Sequence, residues 1–264
     1  MESKNAEEIK GIVREQYGVI AESQGRSCCG NKKAGFSYRE VQEEYSQLPG
    51  YQVEADLGVG CGLPTQLAQI HHGDWVLDLG CGAGNDVFIA RHLVGDQGRV
   101  IGVDMTFQMI EKANANNKKF GYSNVEFILG EIESLPLPST YVDIVISNCV
   151  LNLVPNKKQA FKEIFRVLKL GGHFCVSDIV LEQDLPLNAR SEMALYAGCI
   201  SGAIQRSLYL SYLQEAGFVG IQVPKKRKVT IPQEILLKYF NTQELEAWNQ
   251  NNGVYSITVI GAKP

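Results

Sequence analysis

The stretch WVLDLGCGAGND, residues 75–86, decides how the rest of the chain is read. WVLDLG (75–80) has the character of a buried strand, and glycines follow it at once. Gly80, Gly82 and Gly84 let the backbone turn tightly and approach a ligand that a β-carbon would obstruct. A helix near 84–94 follows, then a second strand, RVIGVDM (99–105), in which Asp104 lies 20 residues beyond Gly84. A carboxylate there accepts hydrogen bonds from ribose hydroxyls. Further out, the pattern predicts a helix near 106–119, strands at 124–130 and 141–147, a helix at 156–169 and a strand at 171–179. Strands alternating with helices imply an α/β fold with a parallel sheet, right-handed crossovers and helices on both faces.

The flanks read differently. Residues 5–24 carry Ile9, Val13, Tyr17 and Ile20 at helical spacing, so an amphipathic helix opens the chain. From 26 to 63 the sequence is rich in Gly, Ser and Cys, with a short helical patch near 38–48. After 180 we expect helices at 188–203 and in SLYLSYLQEAGF, then two strands near 219–230 and 254–262. The expected organisation is an N-terminal extension (1–64) contributing to the substrate site, a core (65–180), and a substrate-side insertion with C-terminal strands, an additional α+β region (181–264).

The 264 residues are 45% hydrophobic with a net charge of −4, which leaves no nucleic-acid footprint. KKRK (225–228) reads as a solvated edge strand. The absence of a long apolar run predicts no membrane partner and a cytoplasmic protein. Seven cysteines without CxxC spacing, and four scattered histidines, argue against a disulfide framework and a structural zinc site.

The glycine loop reads GxGxGND, with Asp78 before it and Asp86 after it. Two carboxylates repel a pyrophosphate but suit an ammonium and a sulfonium. DLGCGAGND, Asp104, GEIESLPLP (130–138) and YVDIVIS together resemble the motifs of class I S-adenosylmethionine-dependent methyltransferases, with a Rossmann-like sheet, over about 73–180. The resemblance implies S-adenosylmethionine as cofactor. It sets Asp78 and Gly80 by the methionine moiety, Asp104 on the ribose, and Met105, Ile132 and Glu133 around the adenine, with Gly82, Gly84 and Asn148 as further cofactor-binding residues.

Two kinds of cysteine occur. Cys175, inside a strand, and Cys81, under the glycine turn, read as packing residues. Cys28 and Cys29 (GRSCCGNK), Cys61 (GVGCGLP), Cys149 (SNCVLNL) and Cys199 (YAGCISGA) lie beside glycines or a strand terminus, in regions that can converge over a methyl donor. Several thiolates together favour a soft metalloid. Trivalent arsenic binds up to three sulfurs and keeps a lone pair for an electrophilic methyl group.

These four motifs resemble those of the arsenite S-adenosylmethionine methyltransferases over roughly 5–220. That likeness implies that Cys61, Cys149 and Cys199 bind As(III). It also implies that Cys28 or Cys29 pairs with Cys61 in a disulfide that returns methylated arsenic to the trivalent state, reset by a thiol such as thioredoxin or glutathione. The expected small-molecule substrate is arsenite or its thiol conjugate. Two other readings predict different behaviour. A methyltransferase of an organic molecule such as a quinone precursor would keep its activity in serine variants, and a non-catalytic metalloid binder would have no use for S-adenosylmethionine.

Overall fold

The computed structural model describes residues 5–22, 44–184, 202–230 and 253–264, with isolated positions at 237, 241, 243 and 246. In chain order the elements are α1 (Ala6–Glu22), α2 (Pro64–Leu67), β1 (Trp75–Leu79), α3 (Asn85–Val94), β2 (Arg99–Asp104), α4 (Phe107–Phe120), β3 (Val125–Leu129) and β4 (Val142–Asn148). A 3-10 turn (Leu151–Leu153) leads into α5 (Lys157–Val167), β5 (Leu168–Leu181), α6 (Arg206–Glu215), β6 (Val219–Val229) and β7 (Val254–Ala262). Among the described residues no helix is long and apolar enough to cross a membrane.

All seven strands form one sheet in the order β3-β2-β1-β4-β5-β7-β6. The first five are parallel, and β7 runs antiparallel between β5 and β6. The strand order reverses between β1 and β4, and such a switch point opens a crevice at the carboxyl ends of the strands. Because side chains alternate along a strand, the sheet buries two faces at once. Leu77, Leu79, Ile101 and Val103 pack towards α5 and α6 with Phe161, Ile164, Tyr209 and Leu213. Val76, Val100, Ile144 and Ile146 pack towards α3 and α4 with Val87, Phe88 and Ile110.

The α/β expectation holds, and the strands of the core lie within a residue or two of their predicted places except β5. That strand starts at Leu168, which pairs with Val142 of β4, and runs on to Leu181 because β7 pairs with it from His173↔Ala262 to Leu181↔Val254. The C-terminal strands therefore extend the core sheet. KKRK lies on β6, the edge strand. Of the helical patch expected near 38–48, residues 44–48 form a turn closed by Leu48 N–H to the Tyr45 carbonyl (2.8 Å), and the remainder lies outside the described residues or only touches their border. The helix expected at 188–203 also falls outside them, apart from its last two residues.

Helix α1 lies on α4: Gly18 backs onto the Gln108 side chain, and Lys112 Nζ donates to the Ala21 carbonyl at 2.8 Å. Its apolar stripe, with Ile20 and Ala21, packs with Leu57, Ala83 and Met109. This brings α1 over the carboxyl end of the sheet.

Candidate active site

At the crevice, the turn after β1 is fixed from its neighbour. Gly80 N–H and Cys81 N–H both donate to the Val103 carbonyl, at 2.7 and 3.1 Å. Asp104, ending β2, accepts from Gly82 N–H (3.0 Å) and Thr106 N–H (2.8 Å). The carboxylate thus ties the glycine loop to the start of α4. Gly80 has φ +66°, and a β-carbon there would come within 2.5 Å of the Val150 methyls, so the sequence needs glycine.

A cleft opens here. Its lining includes Gly80, Gly82, Asp104, Met105, Ile132, Glu133, Asn148 and Cys149, all of which had been singled out from the sequence. Asp78 and Gly84 are not at its surface. Asp78 is buried in β1, and Gly84 faces Phe88 and Phe127 in the core. Helix α1, from the N-terminal extension expected to contribute to the site, supplies one wall with Lys10, Val13 and Tyr17. Lys10 Nζ lies 2.7 Å from Glu131 and 2.6 Å from Glu133, and Arg14 reaches Glu131 at 2.7 Å. Burial alone would lower the Lys10 pKa, but the two carboxylates win and hold it well above the ordinary lysine value. Glu133 also accepts from Asn156 N–H at 2.8 Å, so its carboxylate braces α1 and the start of α5.

Cys149 is the first residue past β4. Its φ is +62°, a left-handed conformation that β-carbon-bearing residues adopt at a cost, and its N–H donates to the Ser177 carbonyl at 2.7 Å. The hydrogen bond to β5 holds the strained turn against the cleft.

Cys61 arrives from the other direction. Its N–H and that of Gly62 donate to Asn148 Oδ1 (3.0 and 3.3 Å), Asn148 Nδ2 donates to the Gly62 carbonyl (2.8 Å), and Ser256 Oγ donates to the Cys61 carbonyl (2.6 Å). A β-carbon on Gly62 would sit 2.6 Å from Ser177 Cβ, which is why glycine follows this cysteine. Beneath the loop, Tyr45 Oη donates to Asp86 Oδ2 (2.9 Å) and lies against Asn148 Nδ2 and the Gly62 carbonyl (3.0 Å). Tyr45 and Lys10 are the site residues that sequence reasoning missed. Tyr45 had no signal, lying in a region read as loop and helical patch. Lys10 was visible only as a polar position on an amphipathic helix.

The electrostatics are lopsided. Burial raises Asp78, Asp86 and Asp104 above the usual carboxylate range, and the neighbouring Asp86 and Asp104 charges push Asp78 up further. Asp86 reaches about 6, held back by the hydrogen bonds from Asn148 and Tyr45. Crowded buried acids favour a cation nearby. Cys81 and Cys175 sit in the core, their thiols raised by burial (Cys175 to about 12), as expected of packing residues. Among the described residues no three potential metal ligands cluster. Cys149 lines the cleft, Cys61 is fully buried in the adjoining loop and is not part of the lining, and Cys28, Cys29 and Cys199 lie outside the described residues.

Comparison with known proteins agrees with this geometry. A methyltransferase-domain family matches residues 70–217. The chain is 40% identical to an arsenite methyltransferase of Halobacterium salinarum, over 86% of this chain and 61% of that protein. It is 35% identical to one of Mus musculus, over 82% and 59%. It thus spans about six-tenths of the length of these curated relatives. Among solved structures, an arsenic(III) S-adenosylmethionine methyltransferase from Chlamydomonas reinhardtii superimposes with a TM-score of 0.68 at 33% identity, covering 86% of this chain and 73% of that one. The chain belongs to the methyltransferase-domain family and, within it, to the arsenite methyltransferases.

Proposed function

We propose that this chain methylates trivalent arsenic held by Cys61, Cys149 and Cys199, with S-adenosylmethionine as the methyl donor. The observation that carries the reading is Cys149: a thiol in a strained left-handed turn, hydrogen-bonded in place in the lining of a cleft that the glycine loop also lines. Strain of this kind persists where the surrounding structure enforces it, and it gathers at functional sites.

The residues around the cleft fit the donor. Gly80 and Gly82 leave room beside the Asp104 carboxylate, Met105 and Ile132 offer apolar walls, and the buried acids Asp78 and Asp86 favour a cationic ligand. S-adenosylmethionine supplies a methyl carbon on a positively charged sulfur, open to attack by a lone pair. The thiols hold the acceptor. Each arsenic–sulfur bond forms as an arsenic-bound hydroxyl leaves with the thiol proton as water, and the arsenic lone pair is kept. Holding three sulfurs around one atom next to the donor replaces a chance encounter with a fixed geometry. No general base is required, which agrees with a cleft where Lys10 is committed to Glu131 and Glu133. Forming the arsenic–carbon bond formally oxidises arsenic by two electrons. Cys61 with Cys28 or Cys29 would return them as a disulfide, and a thiol such as thioredoxin or glutathione would reset the pair. Such thiol chemistry suits the reducing cytoplasm.

The test uses reduced protein with S-adenosylmethionine, arsenite and excess thiol, separating arsenic species by chromatography with arsenic-specific mass detection. We expect methylated arsenic that disappears in Cys149→Ser and in Cys199→Ser, both of which still bind the cofactor. Bound cofactor without methylated arsenic would point to an organic acceptor instead.

A further inference from the structure

Asn148 had been singled out as a neighbour of the cofactor, and it does line the cleft. Its amide is engaged elsewhere. The oxygen takes Cys61 N–H and Gly62 N–H, while the nitrogen faces the Gly62 carbonyl, Asp86 Oδ2 (3.2 Å) and the Tyr45 hydroxyl. An amide nitrogen has two hydrogens, and three acceptors already surround this one.

The next residue is Cys149 and the one after it is Val150. Val150 packs on Gly80 so closely that a β-carbon there would overlap its methyls, and Gly60 backs onto the Asn148 side chain. Three consecutive residues therefore touch the Cys61 loop, form the Cys149 turn and abut the cofactor loop. Asp86, in the first turn of α3, joins the same group from the helix that the cofactor loop opens.

We infer that Asn148 is a positioning residue that sets Cys61 in register with Cys149 for arsenic chelation; this rests on the arsenic reading above. A chelate gains its affinity only if its donor atoms are already at the right spacing. The Cys61 carbonyl is held by Ser256 and the Cys61 N–H by Asn148. Removing the amide frees the loop on the N–H side and leaves the Asp86–Tyr45 pair beneath it without its third member. Tyr45 acts in the same way at one remove, through its bonds to the Gly62 carbonyl and to Asp86.

The experiment is arsenite titration of the full-length, reduced, cofactor-free protein by calorimetry, beside a separate titration with S-adenosylhomocysteine. We expect Asn148→Ala to weaken arsenite binding about tenfold while S-adenosylhomocysteine binding stays within about twofold. Tyr45→Phe, which keeps the ring and removes one hydroxyl, should weaken arsenite by a smaller factor, about threefold, in the same direction. It serves as the measurement if the alanine variant does not fold. The inference is overturned if arsenite binds either folded variant as tightly as the parent. It is overturned too if S-adenosylhomocysteine suffers the larger loss, since Asn148 is then a cofactor contact. No arsenite uptake by the parent protein takes down the arsenic reading and this inference together, whereas equal uptake by parent and variants removes only the inference.

Discussion

In the cofactor half of the cleft, Gly82 and Asp104 meet across a sequence separation of 22, within one strand-turn-helix-strand unit. In the thiol half, Cys61 is held by Asn148 and Ser256, at separations of 87 and 195. The first arrangement follows almost automatically once β1 and β2 pair in parallel register, because the turn takes its bonds from the adjacent strand. The second exists only when β4, β5 and β7 have assembled and a loop from outside the sheet has settled on their ends. The cofactor half is local and the thiol half is a product of the whole sheet. Damage should therefore separate the two ligands.

The largest separation should come from Gly62→Ala. The added methyl meets Ser177 Cβ at 2.6 Å on a β5 strand that is hydrogen-bonded on both sides and cannot give way. Overpacking of this kind costs about 1–3 kcal/mol, so arsenite affinity should fall by between about tenfold and a hundredfold. S-adenosylhomocysteine affinity should change by no more than about threefold. Gly80→Ala is the mirror experiment. Positive φ and the Val150 methyls at 2.5 Å act together, and cofactor affinity should drop by about tenfold with a smaller effect on arsenite. Parallel calorimetric titrations of both variants read the contrast directly. If each substitution damages both ligands alike, the two halves are one cooperative site and the distinction made here is broken.

The same contrast explains what the sequence disclosed. WVLDLGCGAGND and Asp104 are legible because a tight turn at the end of a buried strand demands glycine, and a terminal acid is placed by parity of the strand. Cys61 and Cys149 were legible as suspicious cysteines beside glycine or a strand end, but their partnership was not. Nothing in GVGCGLP says that Asn148 will receive its backbone N–H groups. Tyr45, 2% exposed with its hydroxyl on Asp86, looked like any residue of a short helical patch. The C-terminal strands were recognised as strands, but their insertion beside β5 is a choice among sheet edges that periodicity does not encode. The likeness to a known family carried the thiol half further than residue chemistry alone.

A smaller effect should come from Lys10→Met, which retains an apolar stem of similar length while removing the charge that faces Glu131 and Glu133. Lys10 is 8% exposed, so the lost pair lies between a surface and a buried salt bridge, and stability should fall by about 1–2 kcal/mol. Helix α1 walls the cofactor half, so S-adenosylhomocysteine should weaken by about threefold and arsenite hardly at all. Denaturant unfolding and the same two titrations test this. A larger loss for arsenite would mean that α1 belongs to the thiol half.

The smallest effect is one of acidity. Burial lifts Asp86 from the ordinary carboxylate value to about 6, and Asp78 is lifted in the same direction. In the folded protein these groups keep protons that the unfolded chain has released above pH ~4. Protons bound in excess by the native state mean that stability falls as pH rises, here from about 4 to 6 for Asp86, and no longer changes on its account above that window. Asp86→Asn replaces the titrating oxygen with an amide that can still face Asn148 and Tyr45, so the slope of unfolding free energy between pH 4 and 6 should become shallower. The remaining slope belongs in part to Asp78. A cation brought into the crevice would favour ionisation of both groups, so saturating S-adenosylmethionine should flatten the same profile in the parent protein, where S-adenosylhomocysteine, lacking the sulfonium charge, should flatten it less. Equal flattening by the two ligands would mean that the buried acids answer to the bulk of the cofactor and not to its charge, and the electrostatic half of the comparison would fall.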